Sequence, residues 1–243
     1  MRKIIGRIRK AINDYDMIKD GDKIAVGLSG GKDSCALLTA LALYRKYSPE
    51  KFDLIGINID MGFNDINQDE VAALKAHCES LDVPLIIEKT NIAEIIFDIR
   101  KEKSPCSLCS KMRRGALCNV ATANGANKVA LGHHSNDVLE TMMLSFVYES
   151  RLSSFMPVTY LSKTDITVIR PMIYVEEGDI RGAAKRLNLP IVHNPCPQDK
   201  HTEREYMKKL IDKINEDIPH ARDRMTTAIM RPEAYNLWDK VKK

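Results

Sequence analysis

The chain has 243 residues, 44% of them hydrophobic and 29% charged, with a formal net charge of +4 at pH 7. That length suits one large α/β domain or two small ones, and the composition is that of an ordinary soluble globule. No apolar stretch approaches the roughly 20 residues that span a bilayer, and six cysteines in a chain this long do not read as a secreted disulfide framework.

Met1–Lys10 is basic but lacks the apolar core and small-residue cleavage site of a secretory signal, so 1–20 reads as an appended helix and cytoplasm as the default location. Lys23-Ile24-Ala25-Val26-Gly27-Leu28 predicts a buried strand over 24–28. It runs into Ser29-Gly30-Gly31-Lys32-Asp33-Ser34, which opens an apolar helix over about 33–46. A second strand is expected over 52–60, a helix over 67–81, and a third strand over 85–88. A helix at about 110–124, a strand at 128–131 and a helix at about 136–148 follow. Later helices are expected over 174–188 and 202–217, with Pro190 and Pro195-Cys196-Pro197 fixing the chain between them. Strands alternating with helices predict a doubly wound parallel α/β sheet covered on both faces, with its site at the carboxyl ends of the strands. The loops 29–34 and 132–137 both lie at such ends. The expected division is a helical segment over 1–22, an α/β domain over 23–190 and a C-terminal helical segment over 191–243.

Glycines at 30 and 31 let the backbone approach an anion, and amides of the first helical turn point at it. Ser29, Ser34 and the Lys32 ammonium complete a cradle for phosphate oxygens. The pattern is neither the P-loop of ordinary NTPases nor the G-x-G-x-x-G of dinucleotide binders.

Cys35, Cys78 and Cys118 fall in apolar helical patterns and read as core. Cys106, Cys109 and Cys196 lie in Pro-flanked polar surroundings. The C-x-x-C pair alone suits a thioredoxin-like redox pair, half a zinc site or half an iron–sulfur site. No helix is expected to begin cleanly at Pro105-Cys106, which counts against thioredoxin. Three thiolates suit a 4Fe-4S cluster that leaves one iron without a protein ligand, with persulfide chemistry on Cys106 or Cys109, or zinc, as alternatives. Basic residues gather in three sets: Arg100, Lys101, Lys103, Lys111, Arg113 and Arg114; Lys200, Arg204 and Lys208; and Arg2, Lys3, Arg7, Arg9 and Lys10. Such sets hold nucleic-acid phosphates or are simply solvated helix faces. Aromatic content of 6% argues against extensive base stacking.

The 29–34 hexapeptide resembles the PP-loop of the ATP pyrophosphatase superfamily, whose members adenylate a carbonyl oxygen and release pyrophosphate. Cys106-Ser107-Leu108-Cys109, Arg113-Arg114-Gly115, Leu131 to Asp137 and Ile169-Arg170-Pro171-Met172 follow in the order seen in the tRNA 2-thiocytidine synthetase family. The likeness runs from about residue 23 to about residue 215. It implies ATP held by Ser29, Gly30, Gly31, Lys32, Asp33 and Ser34, with Gly132, His133 and Asp137 beside it and Asp60 near the adenine or ribose. Mg²⁺ is expected with ATP, and Asp33 and Asp137 are the candidates for touching it or its waters. It further implies a 4Fe-4S cluster on Cys106, Cys109 and Cys196, tRNA as substrate, and sulfur from sulfide or a cysteine desulfurase persulfide. A homodimer is implied as well. The expected reaction adenylates the C2 oxygen of a pyrimidine, cytidine 32 by resemblance, and replaces it with sulfur, making Asp33 and the three cysteines the catalytic set. Ser135 and Asn136 depart from the family's Gly-His-His-Arg-Asp-Asp. Other readings are a tRNA 2-thiouridine synthetase, a tRNA lysidine synthetase, or an ATP-gated iron–sulfur or RNA-binding module without turnover. Arg170 is expected to reach phosphate or RNA, or to pair with a surface carboxylate.

Overall fold

Ile24, Ala25 and Val26 are fully buried in the middle of the first strand, β1 (Lys23–Gly27), as its unbroken apolar run requires of a strand covered on both faces. The computed structural model describes residues 1–63, 67–102, 105–193, 195–197, 203–231, 233 and 235. β2 (Asp53–Asp60), β3 (Leu85–Lys89), β4 (Lys128–Ala130), β5 (Val158–Leu161) and β6 (Ile166–Ile169) complete a sheet in the order β3-β2-β1-β4-β6-β5. All pairings are parallel except β5 with β6. The expected parallel sheet therefore ends in one antiparallel hairpin. β1 lies between β2 and β4, the two sides onto which the chain winds, so the loop after it opens at the topological switch point.

The helices are α1 (Arg2–Asp14), α2 (Lys32–Arg45), α3 (Gln68–Ser80), α4 (Ile92–Glu94) running into a π-helical turn (Ile95–Ile99), α5 (Pro105–Ala123), α6 (Ser135–Glu149), α7 (Glu177–Arg186), α8 (Glu203–Asp217) and α9 (Ala221–Ile229). Leu117, Cys118 and Ala121 of α5 pack into the core with Ile55 and Ile57 of β2 and Val129 of β4. Cys35, Cys78 and Cys118 are all buried, as expected of core thiols. α1 buries Ile4, Ile5, Ile8 and Ile12, while its basic face is tied to α7: Lys3 Nζ meets Asp179 at 2.9 Å and Arg7 meets Glu176 at 2.7 Å. Lys3 and Arg7 of the N-terminal basic set thus form an intramolecular clasp on α7. No helix among the described residues is long and apolar enough to cross a membrane.

The chain divides into two compact units, Met1–His134 with Met156–Asp199, and Ser135–Phe155 with Lys200–Lys243. This differs from sequential cuts after 22 and 190, because α1 and the 191–199 stretch group with the sheet and α6 leaves it. In the second unit α8 and α9 pack on α6. There burial and the Asp137 charge push Glu140 up to about 7, against the opposing hydrogen bond from Arg204 at 3.1 Å.

At the amino ends of β1 and β4, buried Lys128 pairs with Asp22 at 2.6 Å and donates to the Met17 carbonyl at 2.8 Å. Asn127 Nδ2 donates to the other Asp22 oxygen at 2.8 Å. Lys128→Ala would strand a buried carboxylate, so the unfolding free energy should fall by about 3–5 kcal/mol in urea titrations. A loss under about 1 kcal/mol, the level of an exposed pair, would show that this ion pair is not the anchor.

Candidate active site

The Ser29–Ser34 turn is built by its own side chains. Ser34 Oγ accepts from the Ser29 amide at 3.1 Å and donates to the Gly31 carbonyl at 2.9 Å, closing the turn onto the start of α2. Ser29 Oγ accepts from the Gly31 amide at 3.3 Å. Gly30 has φ +83°, and a Cβ there would stand 2.7 Å from Val192 Cβ, so both backbone and space demand glycine. At Gly132 a Cβ would lie 3.2 Å from the Asp33 carbonyl carbon and from the Ser34 amide. The loop after β4 therefore crosses the first turn of α2 at backbone contact, and residues 29–34 and 132–134 are brought together.

Lys32 sits between two carboxylates, 3.1 Å from Asp33 and 3.1 Å from Glu177. Burial lowers its pKa, but Asp33 and Glu177 outweigh this and raise it above the usual lysine value. Glu177 is buried at the start of α7 and was not signalled by any motif. Asp33 has one oxygen on Lys32; its other oxygen is buried without a hydrogen-bond partner, with buried His134 Nε2 3.8 Å away. An unsatisfied buried carboxylate oxygen beside a loop of amides fits a bound cation or its water. His133 is half-buried, and it is His134, the neighbour less favoured by the motif, that faces Asp33.

Asn58 Nδ2 donates to the Leu28 carbonyl at 2.7 Å, locking the end of β2 to the start of the loop. Asp60 closes its own turn: Oδ1 accepts from the Gly62 amide at 2.9 Å, and its carbonyl accepts from the Thr90 hydroxyl at 2.8 Å. It stands at the carboxyl end of β2, the strand beside β1. Asp137 belongs to the second unit, with Arg204 Nη1 at 3.9 Å.

The helix α5 begins at Pro105, so the C-x-x-C pair occupies its first turns. This corrects the expectation that no helix starts there, and that argument against a redox pair falls. Cys106 is exposed, and Cys109 and Cys196 are half-buried. Burial pushes the Cys109 thiol up, Arg113 one helical turn on opposes this, and charge on Cys196 or Cys106 pushes it further up. Cys109 is thus within electrostatic reach of both Cys106 and Cys196. Among the described residues, however, no three His, Cys, Asp or Glu side chains gather tightly enough to hold a single metal ion. A tetrahedral zinc ion draws its sulfurs to about 2.3 Å from one point, whereas an iron–sulfur cluster spreads its thiolates over separate irons. Three cysteine thiols are the donor type that an iron–sulfur cluster takes.

Arg170 does not reach outward. It is buried and donates to the Met156 carbonyl at 2.6 Å and to Thr159 at 3.2 Å, and burial first, then Arg114, lowers its pKa to about 10. Those bonds tie it to the β5–β6 hairpin and to the residue that leads into it. In the first basic set Lys101, Lys111 and Arg114 are exposed, and Lys103 lies outside the described residues. In the second, Arg204 holds Glu140 and Thr141, and Lys200 lies outside the described residues.

A PP-loop domain profile matches residues 2–214. The tRNA-cytidine(32) 2-sulfurtransferase of Syntrophotalea carbinolica is 39% identical over 241 residues, covering 98% of this chain and 92% of that protein. The protein of the same name from Pelobacter propionicus is 36% identical, covering 98% and 88%. Among solved structures, the U34-tRNA thiolase NcsA from Methanococcus maripaludis with its 4Fe-4S cluster superposes with a TM-score of 0.77, at 24% identity, over 97% of this chain and 79% of that one. That likeness supports the fold; the sequence relatives, matched over nearly the whole chain, settle the kinship. The chain belongs to the PP-loop family and, within it, to the tRNA-cytidine(32) 2-sulfurtransferase enzymes.

Proposed function

We propose that this chain thiolates tRNA by adenylating the C2 oxygen of cytidine 32 and replacing that oxygen with sulfur. The observation that carries the reading is that the Ser29–Ser34 cradle and the three polar thiols occupy one compact unit, with the chain leading to Cys196 bonded to Gly30 through Val192. The triphosphate of ATP lies on the cradle, its β and γ groups on the loop amides, the two serine hydroxyls and Lys32. The C2 oxygen attacks the α phosphorus, the bond to the bridging oxygen breaks, and pyrophosphate leaves. Lys32, kept charged by its two carboxylates, and the loop amides stabilise the charge that develops on the leaving group. Asp33 has the open oxygen suited to a Mg²⁺ ion or its water.

Hydrosulfide, free or released when thiols reduce a cysteine desulfurase persulfide to a thiol and a disulfide, then attacks C2. The C2–oxygen bond breaks and AMP departs with the original oxygen. Cys106, Cys109 and Cys196 would hold a 4Fe-4S cluster, whose chemistry here is a Lewis-acidic iron without a protein ligand to bind the incoming sulfur. Arg113 beside Cys109 favours its thiolate form. The target nucleotide must be unstacked, which an anticodon-loop position permits. The substrate implies a cytoplasmic enzyme, and the family resemblance a homodimer.

Nucleoside mass spectrometry of tRNA from cells lacking the protein tests the reading. 2-Thiocytidine should disappear while 2-thiouridine derivatives persist. Loss of a 2-thiouridine instead would reassign the base, and an unchanged profile would overturn the function.

A further inference from the structure

Between Pro190 and His193 the chain forms no helix or strand, yet it is fastened on both sides. Cys35 Sγ donates to the Pro190 carbonyl at 3.2 Å, and the Val192 amide donates to the Gly30 carbonyl at 2.9 Å. Val192 also fills the space that a side chain at Gly30 would need. On the other side, Glu70 in the first turn of α3 takes hold of His193 with both oxygens: one accepts the backbone N–H at 2.7 Å, the other lies 2.6 Å from Nδ1. The His193 side chain is otherwise 83% exposed, so burial does not hold it there. The hold is also felt at the carboxylate, which the His193 N–H and ring keep below the usual glutamate range. Cys196 follows three residues later and perturbs Cys109.

The first bond lies on the nucleotide loop, the second on a rigid helix, and the third thiol just beyond both. The Gly30 peptide in the loop that would receive the ligand is the one whose carbonyl holds the Val192 amide, so a shift of the one is felt by the other. His193, held on α3, gives such a shift a fixed point directly beside Val192. With His193 free, the same movement dissipates in an unanchored segment. We propose that Glu70 is a positioning residue: by gripping His193 it makes the 190–193 strap a lever that transmits occupancy of the Ser29–Ser34 loop to the Cys196 thiol. The inference rests on the reading that this loop binds the triphosphate of ATP.

The test uses the full-length, metal-free, reduced protein. Cys196 and Cys106 are alkylated with iodoacetamide and quantified by peptide mass spectrometry, with and without magnesium and an ATP analogue that cannot be cleaved between the α and β phosphates. In the wild type, saturating analogue should change the Cys196 rate about fivefold or more, the scale of ordinary site-to-site coupling, and leave exposed Cys106 as an unresponsive control. Glu70→Ala should bind the analogue with nearly unchanged affinity by calorimetry and lose the Cys196 response. Glu70→Gln keeps an acceptor for the His193 amide and a donor for the ring nitrogen, and should restore it. If Glu70→Ala does not fold, His193→Ala, which removes only an exposed ring, should show a reduced response. A response undiminished in these variants, or absent from a wild type that binds the analogue, overturns the lever. A wild type that binds no analogue overturns the nucleotide-loop reading itself, and the lever with it.

Discussion

Asp33→Asn is expected to slow tRNA-dependent pyrophosphate release by about 10²- to 10³-fold, the usual cost of removing one preorganised charge from a transition state. The substitution keeps the size of the side chain at the head of α2 but removes two things together. One oxygen holds Lys32 at 3.1 Å and helps to keep it charged. The other is buried without a hydrogen-bond partner, the oxygen most suited to a cation. Glu177 would still hold Lys32, so the lysine should stay in place and nucleotide affinity should fall much less than turnover. Iron and sulfide content should match the wild type, because the three polar thiols are carried by α5 and by the chain after His193 rather than by this turn. A pyrophosphate rate within about threefold of wild type would remove Asp33 from the reaction, since that is under 1 kcal/mol of barrier.

Cys109→Ala should have the opposite signature: iron lost, thiolation below detection, nucleotide binding intact. Cys109 is half-buried on α5, packed against the same core cluster as Leu117 and Cys118, and alanine is a better helix former than cysteine. The helix should therefore survive, and the loss can be read as chemistry rather than unfolding. Anaerobic purification with iron and sulfide assays, beside calorimetry with ATP, measures both halves. Retention of a full complement of iron would show that Cys109 is not a ligand. A matching loss of ATP binding would show that the two sites are one folding unit rather than two functions.

Much of this was legible because the signals are contiguous. The strand, the two glycines, the serines, the lysine and the apolar helix that make the nucleotide loop follow one another along the chain, and each has a local physical meaning. The polar cysteines stood out by contrast with Cys35, Cys78 and Cys118, whose neighbours are apolar. Glu177 was invisible for the opposite reason: it reaches Lys32 only because α7 packs against α2, and a lone glutamate at a helix start carries no mark. The same holds for Glu70 and His193, which meet from elements far apart in the chain. The hairpin contacts of Arg170 could not be read from its motif. Its partners, Met156 and Thr159, lie just before and within β5, in a hairpin of two four-residue strands too short to announce themselves. At α5 the signal was present and undervalued, since proline favours the first position of a helix and Pro105 takes it.

Lys128, Asp22 and Asn127 tie the strands at one rim of the sheet, and the loop proposed to receive the nucleotide opens at the other. Robustness and reactivity thus reside at opposite poles of the same strands. Substitutions around the mouth can accumulate without loosening the foundation, and thermal adaptation can proceed at the foundation without disturbing the mouth.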